Sequence, residues 1–355
     1  MYRSARHDRR KIPHVLRVLA GFAQNYLWLQ SRRLGPNRRP ILAIALIEHM
    51  GDIVAAEPVS RFARAQHPQA RIVWITRKPY KEIAGNYPSV DRILEVHCLT
   101  QWLLLWSLDL FDTIWDLHIS GRICYGCNVT LLKSGPAGKL TFDTFYNFGN
   151  LLALNCVNAG IPPITDGPVL HPDPTAEAKV NSFSLPQSFI AIHARSSETR
   201  RDWQVEKWQA LVSWLTDDLG IDVVEVGSQP YIITATEGRK RSLCGALSIL
   251  ETAEVLRRAS LFIGVDSGPA HLANAVGTQG VILLGHLGPF QRYVPYSGSY
   301  ANGVGADLIH WNDVPASIPL ETVMSLVARR LEPRSTAAEV TPSVDSMFAT
   351  QRISP

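Results

Sequence analysis

Four runs of aliphatic residues constrain this chain more than any other feature: ILAIALI (41–47), FIAIHA (189–194), LFIGV (261–265) and VILLG (281–285). They are too short to cross a membrane as helices and show no polar–apolar alternation. Each therefore predicts a strand buried on both faces, as in a parallel sheet covered by helices. RIVWIT (71–76), RILEVH (92–97), DTIWDLHI (112–119) and VVEVG (223–227) read as companion strands. Helical patterns fall between them, running to about residue 66 and over about 79–86, 204–218, 251–258 and 269–276. Strands alternating with helices predict βαβ units in an α/β fold.

The strands form two sets, separated by PPITDGPVLHPDP (162–174), which has the composition of a linker. At roughly 100–200 residues per domain, 355 residues suit two domains. The expected division is a basic amphipathic segment 1–39, a first Rossmann-like domain 40–165, a linker 166–187, a second Rossmann-like domain 188–332 and a Ser/Thr/Ala/Pro-rich disordered tail 333–355. Two doubly wound domains so joined place a ligand cleft between their strand C-terminal ends.

Composition narrows the classes. Hydrophobic residues make up 46% and charged residues 19%, enough to bury real cores and too much to leave the chain unfolded. No long stretch is free of charged or strongly polar residues, which argues against a multi-span membrane protein. The net charge of +4 hides an asymmetry: residues 1–40 hold ten basic residues and one acidic, whereas the other 315 hold 25 basic and 30 acidic. The body is mildly acidic, so no nucleic-acid groove is expected, and the basic segment suggests an anionic surface nearby. Residues 12–32 predict an amphipathic helix with Leu16, Leu19, Ala23 and Leu27 at helical spacing and Phe22, Tyr26 and Trp28 widening the arc. It packs on the domain or lies in the interface of an anionic membrane.

Five cysteines (98, 124, 127, 156 and 244) follow no framework spacing and predict free thiols. Cys124 and Cys127 form a C-x-x-C, but no second ligand pair of zinc-site spacing follows, so no metal and no cofactor are assigned. No secretory signal pattern is present at the N-terminus.

Three motifs stand at predicted strand ends. In Glu48-His49-Met50-Gly51-Asp52 a strand turns into a helix. Asp52 is there an N-cap or a general base at the cleft mouth, and His49 a second candidate base or a polar turn residue. In His193-Ala194-Arg195-Ser196-Ser197-Glu198-Thr199-Arg200-Arg201 hydroxyls and guanidiniums crowd one loop, chemistry that suits a phosphate. In Gly264-Val265-Asp266-Ser267-Gly268-Pro269-Ala270-His271 a helix begins with Ser267 near the N-cap. Its first amides make an anion site or simply a well-capped helix, and Asp266 could accept sugar hydroxyls. No G-x-G-x-x-G follows the first strand, 133–139 fails the P-loop pattern, and no D-x-D ends a strand.

The ordered set GDIVAAEPVSRFARAQHP, HARSSETRRDWQVEKW and FIGVDSGPAHLANAVGT resembles glycosyltransferase family 9, the heptosyltransferases of lipopolysaccharide core assembly, over about residues 40–330. The resemblance implies a GT-B fold of two Rossmann-like domains and inverting, metal-independent transfer from ADP-heptose. It implies a lipid-linked glycan acceptor at the cytoplasmic face of the inner membrane, with the enzyme peripheral there. Asp52 matches the family's proposed base. Ser196 and Ser197 match hydroxyls at the diphosphate. Arg201, usually Lys, matches the residue that neutralises the diphosphate. Asp266, Ser267, Gly268 and His271 match the donor signature. The family's usual proline after Leu-Phe-Gly is replaced by His286 in LLGHLGP. His49, Arg77, Lys78 and Arg122 are candidates for acceptor contacts. Other readings are a GT-B sugar-nucleotide epimerase and a family member that binds nucleotide or glycan without catalysis.

Overall fold

The computed structural model describes residues 5–35, 38–285, 287, 289–290, 292–311 and 315–332, with side chains from Pro13 onward. The expected disordered tail 333–355 and His286 lie outside the described residues. In the first half, α1 (Ala5–Leu34) precedes β1 (Ile41–Ala45), α2 (Met50–Ala55), α3 (Glu57–Gln66), β2 (Arg71–Thr76), α4 (Lys81–Gly85), β3 (Arg92–Glu95), α5 (Leu99–Trp106) and β4 (Thr113–Asp116). A hairpin of β5 (Arg122–Cys124) and β6 (Val129–Leu131), the single turn α6 (Gly135–Gly138) and α7 (Leu151–Ala159) complete it. The second half runs α8 (Pro174–Asn181), β7 (Phe189–His193), α9 (Val205–Ser213), β8 (Asp222–Glu225), β9 (Lys240–Ser242), α10 (Ile249–Arg258), β10 (Leu261–Val265), α11 (Gly268–Ala275), β11 (Gly280–Leu284), β12 (Ala306–His310) and α12 (Leu320–Leu331).

The first sheet is parallel in the order β3-β2-β1-β4, and the second is parallel in the order β12-β11-β10-β7-β8-β9. Every residue of β1, β7, β10 and β11 is buried, because helices cover both sheet faces. That is why these four segments read as unbroken apolar runs. Strand order reverses between β1 and β4 in the first sheet and between β7 and β10 in the second. A crevice opens beyond the strand ends at such switch points. The loops after β1, β4, β7 and β10 therefore converge on one cleft, and three of them carry the motifs singled out above.

The connecting segment departs from the expectation of a plain linker over 166–187. Residues 174–181 form α8, which packs against α10; Asp173 caps it by accepting the Ala176 N–H at 2.8 Å, and Pro174 supplies a preset first turn. Upstream, Arg61 of α3 donates to the Gly167 carbonyl at 2.8 Å and pairs with Asp166 at 3.1 Å, while Glu57 accepts the Val169 N–H at 3.0 Å. The segment is thus pinned to the first half.

Helix α1 has two apolar faces. Val18 and Leu29 are buried among residues of β1–β3 and α5, and the Asn25 amide donates to the Glu95 carbonyl at 2.9 Å. Leu16, Leu19 and Leu27, the stripe read from the sequence, are instead 53–66% exposed. The alternatives of packing on the domain and facing outward are therefore met by opposite sides of one helix. Among the described residues, no helix is long and apolar enough to cross a membrane.

Candidate active site

The cleft between the two sheets has a volume of about 1000 Å³. On the first-sheet side, His49 is the N-cap of α2 and donates its N–H to Asp52 Oδ2 at 3.2 Å. Asp52 is therefore the third residue of the helix and not its N-cap. Both residues line the cleft. Glu48, overlooked in the sequence, organises this wall: its carboxylate pairs with Arg77 at 2.8 Å and accepts a bond from Arg122. Burial pushes the Glu48 carboxyl up, but Arg122, His49 and Arg77 outweigh it and hold it below the ordinary carboxylate value. Of the four expected acceptor contacts, His49 and Arg122 line the cleft. Arg77 reaches it only through Glu48, and Lys78 is exposed outside the lining residues.

On the second-sheet side, the loop after β7 is shaped by its own hydroxyl. Ser196 Oγ donates to the Glu198 carbonyl at 2.6 Å, and the Ser196 N–H donates to Asp202 at 2.6 Å. The Ser196 hydroxyl, expected to touch a diphosphate, is occupied in holding the loop, whereas Ser197 is exposed to the cleft. Arg201 spreads between Glu198 at 3.3 Å and Asp266 at 3.8 Å, yet its buried Nε has no hydrogen-bond partner. Burial works against its charge, but Asp266, Tyr293 and Glu198 more than compensate and raise its pKa.

Asp266 is buried, and its two oxygens accept from the hydroxyls of Tyr293 at 2.7 Å and Tyr296 at 3.2 Å. The carboxylate, which the sequence marks as an acceptor for sugar hydroxyls, thus holds two tyrosines and stands 3.8 Å from Arg201 while still lining the cleft. Ser267 is the N-cap of α11 as predicted, but its hydroxyl donates back to the Val265 carbonyl at 3.1 Å. No side chain caps the first-turn amides, which leaves the helix start at Gly268 facing the cleft as an anion would need it.

His271 is buried beneath the cleft with its ring 4.6 Å from that of Tyr296. Burial lowers its pKa despite Asp266 and Asp52 nearby, which keeps the imidazole neutral near pH 7. Two glycines let the walls meet: a Cβ at Gly51 would stand 2.6 Å from His271 Cδ2, and one at Gly268 would collide with the Met50 side chain. Deeper in the second domain, Glu225 is buried and accepts the N–H groups of Tyr231, Ile232 and Ile233 at 2.7–3.2 Å, fixing a loop beside Gly227 and Ser228 at the cleft edge.

Residues 165–309 match the family model of glycosyltransferase family 9 (heptosyltransferase). The match runs from the connecting segment to β12 in the second half of the chain. The lipopolysaccharide core heptosyltransferase OpsX of Haemophilus influenzae is 22% identical over 287 residues, which is 72% of this chain and 82% of that protein. The ADP-heptose lipopolysaccharide heptosyltransferase II of E. coli superposes with a TM-score of 0.61 at 17% identity, over 82% of this chain and 98% of that one. A glycosyltransferase family 9 structure from Veillonella parvula also gives 0.61, at 15% identity, over 82% and 97% of the two chains.

The fold is thus GT-B, as the strand pattern and the resemblance implied. The family match covers the wall bearing Ser196, Ser197, Arg201, Asp266, Ser267, Gly268 and His271, and the other wall is similar in fold to the heptosyltransferase II structure. Sequence reasoning missed Glu48, Tyr293 and Tyr296. Tyr293 and Tyr296 stand 27 and 30 residues beyond Asp266, in a segment with no apolar period, so no local signal marks them.

Proposed function

We propose that this protein is an inverting, metal-independent heptosyltransferase that moves heptose from ADP-heptose to a lipid-linked lipopolysaccharide or related surface-glycan acceptor. One observation carries the reading. The switch point of the first sheet presents a carboxylate, Asp52, to the same cleft as the Arg201 guanidinium and the open start of α11. A base and an anion site lining one cleft suit displacement at an anomeric carbon.

In that reading the donor diphosphate lies against Arg201 and the amide of Gly268, with Ser197 at its edge. Asp52 takes the proton of the acceptor hydroxyl as its oxygen bonds to the anomeric carbon. The bond from that carbon to the phosphate oxygen breaks with its electron pair leaving on ADP. Charge grows on the departing phosphate, and Arg201 and the helix start stabilise it more in the transition state than in the ground state. Asp266, held by Tyr293 and Tyr296, keeps Arg201 aimed and charged. On the acceptor wall, His49 and Arg122 suit contacts to anionic groups, with Arg77 acting through Glu48.

The exposed Leu16–Leu19–Leu27 stripe and the basic residues around α1 support peripheral attachment to an anionic membrane at its cytoplasmic face, where a lipid-linked acceptor is presented. The test is ADP release by purified protein given ADP-heptose with and without heptose-deficient lipopolysaccharide. Acceptor-dependent release with inverted anomeric configuration is expected. Release without acceptor, or no turnover at all, would overturn the reading.

A further inference from the structure

The C-x-x-C at 124–127 lacks a partner pair in the sequence, but folding brings one to it. Cys124 ends β5, and Cys127 lies in the turn to β6. The N–H groups of Cys127 and Asn128 both donate to the Cys124 carbonyl, at 3.1 and 2.7 Å, and Asn128 takes φ 57°. This tight knuckle holds two thiols on a short hairpin. Over it lies His14 of α1, whose Nε2 is 3.4 Å from Cys127 Sγ. A Cβ at Gly126 would stand 3.0 Å from that nitrogen, so glycine allows the imidazole to rest on the turn. Cys98, the N-cap of α5, brings its Sγ to 3.9 Å from Cys127 Sγ, and Cys124 stands three residues before Cys127 on the same knuckle. The ligand atoms of His14, Cys98 and Cys127 all lie within 4.8 Å of one another.

These separations are close to the edges of a zinc tetrahedron. Bonds of about 2.3 Å to sulfur and about 2.0–2.1 Å to nitrogen at tetrahedral angles set two sulfurs about 3.8 Å apart and sulfur about 3.5 Å from nitrogen. Soft thiolates with one imidazole select zinc over hard cations.

We propose that His14, Cys98, Cys124 and Cys127 bind one structural zinc ion that clamps α1 and the start of α5 to the β5–β6 hairpin. Four protein ligands leave no open position, and none of the four lines the cleft, so the ion takes no part in transfer. It has a geometric consequence there. Arg122 begins β5, two residues before Cys124, and reaches Glu48 in the cleft wall. The ion therefore steadies the strand that delivers Arg122, and it ties the outward leucine stripe of α1 to the acceptor wall.

The full chain, purified without a chelating tag, should contain about one zinc per chain by plasma mass spectrometry. A mercurial that titrates thiols should release that zinc to a colorimetric indicator and lower Tm by about 5 °C or more. Cys127→Ser, at the most accessible of the three thiols, should weaken zinc retention at least tenfold, whereas Cys244→Ser should retain it. The idea is overturned if wild-type protein from zinc-supplemented culture holds far less than one zinc and gains no Tm on adding zinc. It is also overturned by a Cys98–Cys127 disulfide in peptide mass spectra, or by full zinc retention in the double variant Cys127→Ser/His14→Ala. Because wild-type metal content is read without substrate, the result stands apart from the assignment of heptosyl transfer.

Discussion

Gly51 and His271 touch across the cleft: a Cβ on the glycine would stand 2.6 Å from the Cδ2 of the imidazole. The first turn of α2 thus lies directly on the first turn of α11, and two motifs more than two hundred residues apart form one surface. Gly51→Ala must push His271 or open the cleft. Overpacking of this kind costs about 1–3 kcal/mol. Urea unfolding should show that loss, and the double variant Gly51→Ala/His271→Ala should recover part of it, since the clash needs both groups. A Gly51→Ala protein as stable as wild type would mean that the two turns do not pack as seen.

Asp52→Asn keeps an oxygen to accept the His49 N–H and removes the base. ADP affinity measured by calorimetry should stay within a few-fold of wild type, while kcat falls by about 10²–10⁴. Near-normal turnover would pass the role to His49.

Arg201→Ala should weaken ADP binding and also lower kcat, because the interaction strengthens as the diphosphate leaves. Arg201→Lys should retain part of both, the charge being kept and the fork lost. Transfer should survive brief EDTA treatment that leaves tightly held zinc in place, and added Mg²⁺ or Mn²⁺ should not raise it. A rate that collapses with EDTA and returns with either ion would contradict metal independence.

Beneath the cleft floor, Asp116 is buried and accepts Trp102 Nε1 at 2.6 Å, with His118 at 2.9 Å and Lys133 at 2.7 Å. Burial alone would raise the Asp116 carboxyl, but His118 and Lys133 outweigh it and hold it down at about 2. A carboxyl lowered in the folded state adds stability that is fully present above its unfolded value. That contribution is lost as pH falls toward about 2. The stability difference between wild type and Asp116→Asn should therefore shrink from about pH 4 downward. Lys133→Met, which leaves the buried carboxylate short of its cation, should cost about 3–5 kcal/mol at neutral pH. A flat difference against pH would show that Asp116 titrates ordinarily.

Truncating at Pro40 would strip Val18 and Leu29 from a core, so deletion cannot test membrane attachment cleanly. Leu16→Ser/Leu19→Ser/Leu27→Ser changes only exposed side chains and should leave Tm within a few degrees. Flotation with anionic vesicles should fall well below wild type, and wild-type binding should weaken as salt screens the basic residues over a Debye length of about 8 Å at physiological ionic strength. Equal flotation of the two proteins would remove α1 as the anchor.

The central strands and the three strand-end motifs were legible in the chain itself. A strand covered by helices on both faces has no polar side, so β1, β7, β10 and β11 appear as unbroken apolar runs, and a parallel sheet puts its ligands where such runs end. Edge strands carry a weaker mark: β3 and β4 could be read, but β9, half-buried throughout, and β12 could not. The site chemistry divides along the same line. Asp52, Arg201 and the start of α11 stand in local motifs. The groups that aim them, Glu48 for Arg77 and Arg122 and the pair Tyr293 and Tyr296 for Asp266, are brought in by chain folding over long separations. The same holds for the thiols: spacing showed one ligand pair, and only packing of α1 and α5 on the β5–β6 hairpin placed His14 and Cys98 beside it. Local patterns record which faces are buried and where the backbone turns. Which distant side chains share a buried polar contact is set by how the layers pack, and that geometry leaves no period in the sequence.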